Sequence, residues 1–214
     1  MAIIDGYTTL QTAVGEYLAR GDLSTFIPNF IQSWEDDFVR EPRNWGRWME
    51  AEFNPSDTLI SGGVIPVSNL SDYLGLKYVY ISGSPSSRLD RVSLNQLYGA
   101  YPRGGETGIP RWIARDGENF VFGPTPDSDY LVKGVYYARP TRLRDFASDA
   151  AAHWMIVNCP DVILFGALVH AQPFVMNDKR IGVWQSFYDR AVSSYRAMNK
   201  DEDVSGSPVQ EVLA

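Results

Sequence analysis

"RWIARDGENFVFGPTPDSDYLVKGVYYARP", residues 111–140, decides the fold class. Side chains alternate through "RWIARD": Trp112 and Ala114 point one way, Arg111 and Ile113 the other. Phe120 and Phe122 then share a face, with Asn119 and Val121 opposite. A period of two marks half-buried strands. Asp116-Gly117 between the two runs is the preferred pair for a type I′ hairpin, which needs φ > 0 at both central residues. "GPTPDSD" follows, and its two prolines, glycine and aspartates make a second reversal. "YLVKGVYYARP" supplies a further strand, ended by Pro140. The reading predicts a meander of at least three antiparallel strands.

Upstream, "NPSD", "SGG" and "SGSPSS" are turns, and "TLI", "VIPVS" and "LKYVYIS" between them read as short strands. Ser93 and Gln96 make a capping box for one or two helical turns in "SLNQLYGAY", and "PRGGETGIP" reads as a mobile loop. Before Asn54 the period is helical. Leu10, Ala13, Val14, Tyr17 and Leu18 form one stripe, with Thr8 and Gln11 as a capping box and Gly21 as the stop. Phe26, Ile27, Phe30, Ile31, Trp34 and Phe38 form a second stripe. There Pro28 suits a first turn and Pro42 ends the helix near Glu41. "WGRWMEAEF" is expected to resume as a short helix.

After Arg144 helices return. "SDAAAHWMIV" starts from Ser148, and "CPDVILFGALVHAQPF" has Pro160 in its first turn and is apolar nearly all round, hence buried on every side. Ile181, Trp184, Tyr188, Ala191, Tyr195 and Met198 form the seam of a long last helix. The final "DEDVSGSPVQEVLA" cannot bury enough alone to fold. The expected class is α+β. An antiparallel helical bundle from the N- and C-terminal helices (1–53 and 145–199) carries an inserted antiparallel β-sandwich or barrel-like module (54–144), and 200–214 is a flexible tail.

Composition narrows the function. With 214 residues, 44% hydrophobic and 21% charged, the chain is an ordinary globular protein with room for one large domain or two small ones. No apolar run approaches the roughly 20 residues of a membrane span, and "MAIIDGYTTL" has no basic leader before an apolar core. Cys159 is the one cysteine, which excludes an internal disulfide framework. A net charge of −7 argues against tight binding to a duplex exterior, but does not exclude a passage that nucleic acid slides through without sticking. Of the 19 basic residues 15 are arginine, and 13% of the chain is aromatic, a bias typical of assembly contacts.

Chemistry finds little purchase. His153 and His170 fall on apolar helices, where satisfied packing is commoner than ligation or base catalysis. Cys159 precedes a helix start, which favours a thiolate, but no orienting third residue accompanies it. CxxC and HExxH spacings are absent, and Gly104-Gly105 lacks the Lys-Ser/Thr of a phosphate loop. Glu35, Asp36 and Asp37 beside Trp34, then Glu50 and Glu52, are the enzymatic candidates, since paired carboxylates can cleave glycosides. Asp127 and Asp129 lack the rest of a calcium loop. No catalytic, cofactor-binding or metal-binding residue is therefore assigned, and no cofactor is expected.

Three stretches, in order, resemble the head-to-tail connector adaptors of tailed bacteriophages, the ring proteins beneath the portal. They are "LQTAVGEYLARGDLSTFIPNFIQSWEDDFVRE", "GIPRWIARDGENFVFGPTPDSDYLVKGVYYARPTRL" and "PDVILFGALVHAQPFVMNDKRIGVWQSFYDRAV", which together span nearly the whole chain. The resemblance implies a non-enzymatic structural virion protein of the neck, assembled in the host bacterial cytoplasm. Its implied partners are copies of itself in a ring, expected as a dodecamer, the portal, and tail or nozzle proteins. Genomic DNA would pass through the bore without specific binding, and no membrane is involved. The alternatives are a peptidoglycan hydrolase or a carbohydrate- or protein-binding module.

Overall fold

The computed structural model describes residues 3–53, 60, 63–83, 86–102, 105–146, 153–175 and 178–203. Its elements run α1 (Tyr7–Leu18), α2 (Ile27–Arg40), β1 (Glu50–Glu52), β2 (Val64–Pro66), β3 (Tyr73–Ser82), β4 (Ser87–Arg88) and β5 (Asp90–Arg91). There follow α3 (Leu94–Ala100), β6 (Trp112–Asp116), β7 (Asn119–Gly123), β8 (Leu131–Ala138), α4 (Trp154–Asn158), α5 (Pro160–His170) and α6 (Ile181–Asp203). At about 51% helix and 22% strand the class is α+β. The chain divides into two compact units, Met1–Trp48 with Thr141–Ala214, and Met49–Pro140.

The helical unit is organised around α5, which packs against α1, α2, α4 and α6. Its sequence explains this. Val162, Ile163, Leu164, Ala167 and Leu168 leave no polar stripe, so every side needs a helix over it. Leu10, Val14 and Leu18 of α1 and Ile31 and Trp34 of α2 provide that cover. Burying each such aliphatic side chain is worth about 1.5–3 kcal/mol. Pro160 opens α5 and Pro28 opens α2, both in first turns as read from sequence. Gly166 lets α5 approach the Trp34 indole, because a Cβ there would overlap the ring.

Helix ends differ from the sequence reading. The N-terminus of α1 is closed by Thr9, whose hydroxyl accepts from the Asp5 and Gly6 amides at 3.0 and 2.9 Å, rather than by Thr8 and Gln11. Its C-cap is Ala19 in the left-handed region (φ 52°), not Gly21. Arg180 makes this early stop possible by donating to the Tyr17 and Leu18 carbonyls at 2.8 and 3.1 Å. Those carbonyls would otherwise lack partners at a helix end. α6 continues through Asp203, past Asn199 where a tail was expected to begin. The proposed strand residues Thr58 and Leu59, the start at Ser148 and residues 204–214 lie outside the described residues.

The β unit holds two four-stranded sheets, ordered β1-β8-β3-β4 and β2-β7-β6-β5. The expected meander stops at β7. That strand pairs with β6 on one edge and β2 on the other, so neither edge is left for β8. The Pro124 and Pro126 turn carries the chain to the other sheet, where β8 pairs antiparallel with β3 from Leu131↔Ser82 to Ala138↔Tyr73. Glu50–Glu52, read as helix, is instead the edge strand β1 beside Tyr137, Tyr136 and Val135. β5 and β6 run parallel. Ile65, Ile81, Ile113, Phe120, Phe122 and Val132 are central to this unit's core. Within the β6–β7 hairpin Asp116 pairs with Asn119, so Gly117-Glu118 is the two-residue loop. Only Gly117 has positive φ (61°), the type II′ pattern with glycine first rather than type I′. Ser93 and Gln96 form the predicted capping box of α3.

Candidate functional site

The carboxylates were the strongest chemical candidates, and the structure gives most of them partners within their own unit. Buried Glu35 accepts the Leu143 amide at 3.0 Å, Asp36 pairs with Arg142 at 3.2 Å, and Gln32 accepts from Arg144 at 3.1 Å. One face of α2 thereby clamps the segment that returns from the β unit. Asp37 is exposed, 3.9 Å from His170 Nε2. In the β unit Glu50 pairs with Lys77 at 2.6 Å, and Glu52 borders an open cleft of about 370 Å³ with Tyr78, Tyr80 and Lys133. A glycosidase needs one carboxyl held as acid opposite a second that stays ionised. Within α2 Glu35 and Asp36 instead hold backbone and an arginine.

The thiol and imidazoles likewise pack within the helical unit. Cys159 lies between α4 and α5, is 6% exposed, and burial pushes its thiol up to about 11, with Asp161 and Glu202 adding to the effect. A thiolate nucleophile needs the opposite shift. His153 caps α4, accepting the Met155 amide on Nδ1 at 3.2 Å. The rings of Trp48 and Phe146 meet it at 5.3 and 5.2 Å, and burial lowers its pKa to about 4. Burial also lowers His170, with Asp37 acting the other way. Beside His153 a polar chain fixes the end of the helical unit: Trp48 Nε1 donates to Tyr195 Oη at 2.8 Å, and Tyr195 donates to the Asn44 carbonyl at 2.7 Å.

Among the described residues no group of three or more His, Cys, Asp or Glu is arranged to hold a metal ion. No helix is long and apolar enough to cross a membrane, again among the described residues. Asp127 accepts from Tyr130 Oη at 2.6 Å, and with Asp129 it borders a depression of about 250 Å³.

The surface is where unassigned side chains gather. On the helical unit Phe187 stacks on Phe165 at 5.0 Å beneath the Arg190 guanidinium, and Phe174, 47% exposed, meets Phe26 at 5.5 Å. On the β unit Tyr78, 48% exposed, lies 5.7 Å from Tyr80 under Arg88. A second cleft, of about 220 Å³, is lined by Arg91, Arg115 and Tyr73, with Arg115 over the Tyr73 ring. The sequence reading missed this pair. Its signal is weak, two arginines that the register places on neighbouring strands β5 and β6. Exposed aromatics beside arginine are the usual anchors of protein contacts.

Two compact units, ionisable core groups that fix their own backbone, and an exposed aromatic and arginine surface are the features a contact-making protein needs. The chain belongs to the SU10 adaptor protein family, whose model matches residues 6–211. It is a phage structural adaptor of the head–tail adaptor type. No curated protein matches it.

Proposed function

We propose that this chain is one subunit of a ring in the virion neck that docks beneath the portal, extends the DNA channel and offers the platform for tail or nozzle proteins. The observation that carries the reading is the family match over residues 6–211, which takes in both units rather than one shared module. The exposed aromatics support it, since each subunit of a closed heterologous ring needs two different contact faces. Each interface of a stable ring buries at least about 1,000 Å². The net charge of −7 suits a bore that repels DNA and lets it slide. Turnover has no part in this reading, and the engagement of Glu35 and Asp36 in clamping the 142–144 segment agrees with that. The segment 200–214 is assigned to portal contact.

The test is electron microscopy of the purified chain mixed with the portal of its own phage, beside a chain ending at Asn199. End-on rings on the portal with the full chain, and a folded but unattached truncated chain, are expected. A full chain that stays off the portal, or that binds as a single copy, overturns the proposal.

A further inference from the structure

We infer that neighbouring copies join head to tail through the β unit, with the Asp127–Asp129 turn of one copy seated in the Arg91–Arg115 cleft of the next. The inference rests on the ring reading above and names the contact that closes it.

The cleft is a prepared anion socket. Arg91 is anchored by a hydrogen bond from Nη1 to the Leu76 carbonyl, and Arg115 by one from Nε to the Gly117 carbonyl at 2.9 Å. Each guanidinium is thus held by backbone while its remaining N–H groups stay available. Neither is paired with a carboxylate among the described residues. Arg115 also lies over the Tyr73 ring at 5.8 Å, and Leu76, Ile113 and Phe120 form an apolar floor. Burial raises the Tyr73 hydroxyl pKa, while Arg115 and Arg91 both act to lower it, the sign of a positive field in the cleft. Two fixed guanidiniums over an apolar floor suit a carboxylate, which arginine binds with paired hydrogen bonds.

The acidic turn is the complementary knob. Asp127, Ser128 and Asp129 are exposed, Pro124 and Pro126 restrict the backbone, and the Tyr130 hydroxyl orients Asp127. One copy does not fill its own socket. Arg115 pairs with Phe120 near the hairpin tip, whereas the turn follows Gly123 at the hairpin root. Three strand steps, roughly 10 Å, separate Phe120 from Gly123 before the turn begins. A basic socket at one end and an acidic knob at the other repeat head to tail, the heterologous arrangement that closes rings. The chain carries both the basic socket and the acidic turn that complements it, and its net charge is −7, which favours another copy over nucleic acid as the occupant.

Charge reversal tests this with the full chain, by sedimentation velocity from micromolar to millimolar concentration. Circular dichroism melts check that each variant is folded. Arg91→Glu/Arg115→Glu and Asp127→Arg/Asp129→Arg are each expected to weaken self-association by about tenfold or more. Mixed in equal amounts they are expected to co-assemble, because each then offers the other an opposite charge. Folded variants that associate like wild type overturn the contact, as does a mixture of folded variants that fails to recover. Loss with the socket variant alone overturns the Asp127–Asp129 turn as the occupant, because another part of the neighbouring copy then fills the cleft. A wild type that stays monomeric overturns the contact as well. The portal images decide separately whether the ring reading stands.

Discussion

Replacing Gly166 by alanine adds one methyl group where α5 meets α2. The new Cβ would lie 2.8 Å from Trp34 Cγ and closer still to Cδ1 and Nε1. Trp34 has little room to retreat. It is 2% exposed, its ring lies 5.0 Å from that of Phe38, and its Nε1 donates to Tyr188 Oη at 3.2 Å. Overpacking of this kind costs about 1–3 kcal/mol. Straining the Trp34–Tyr188 bond costs about 1 kcal/mol more. The better helix propensity of alanine returns about 1 kcal/mol. The net expectation is a loss of about 2 kcal/mol, a fall of roughly 4–8 °C in melting temperature for a chain of this size. Gly182, in the first turn of α6, is the control, since a Cβ there meets no heavy atom within 4 Å. Gly182→Ala is expected to be neutral or to stabilise by up to about 1 kcal/mol. Thermal melts and urea titrations followed by circular dichroism measure both. A Gly166→Ala chain as stable as the Gly182→Ala chain would refute the packing argument.

Two further expectations concern buried ionisable groups. His153 takes a proton near its ordinary pKa of 6.5 when unfolded but only at about 4 when folded. The unfolded state therefore binds more protons in that window, and stability falls as pH drops from 6.5 to 4, by about 3 kcal/mol from this group. His153→Asn keeps an N-cap acceptor and removes the titration, so urea midpoints should fall less steeply between pH 7 and pH 4. An unchanged slope counts against the burial account. Cys159, with its thiol pushed up to about 11, offers roughly one thiolate in a thousand at pH 8. Iodoacetamide should modify it slowly in the folded chain and rapidly in urea, and rapid labelling of folded protein would show the site to be open.

What the sequence alone determined was local. The stripes of α1, α2 and α6, the all-apolar α5, the first-turn prolines Pro28 and Pro160 and the Ser93 cap of α3 each follow from spacing within a few residues. So does the β6–β7 hairpin, because alternation and a glycine turn act over neighbouring positions.

The tertiary structure decided whatever depended on partners distant in the chain. β8 left the meander because β2 had taken the second edge of β7, a competition settled across more than 50 residues. Glu50–Glu52 became a strand because β8 offered an edge, overriding a helical propensity that is only a weak prior. Glu35 looked like a mid-helix acid free to act until the Leu143 amide, 108 residues away, arrived to bind it. The Arg91–Arg115 socket exists because β5 runs beside β6. Periodicity reports which face of an element is buried; only folding in three dimensions decides what buries it.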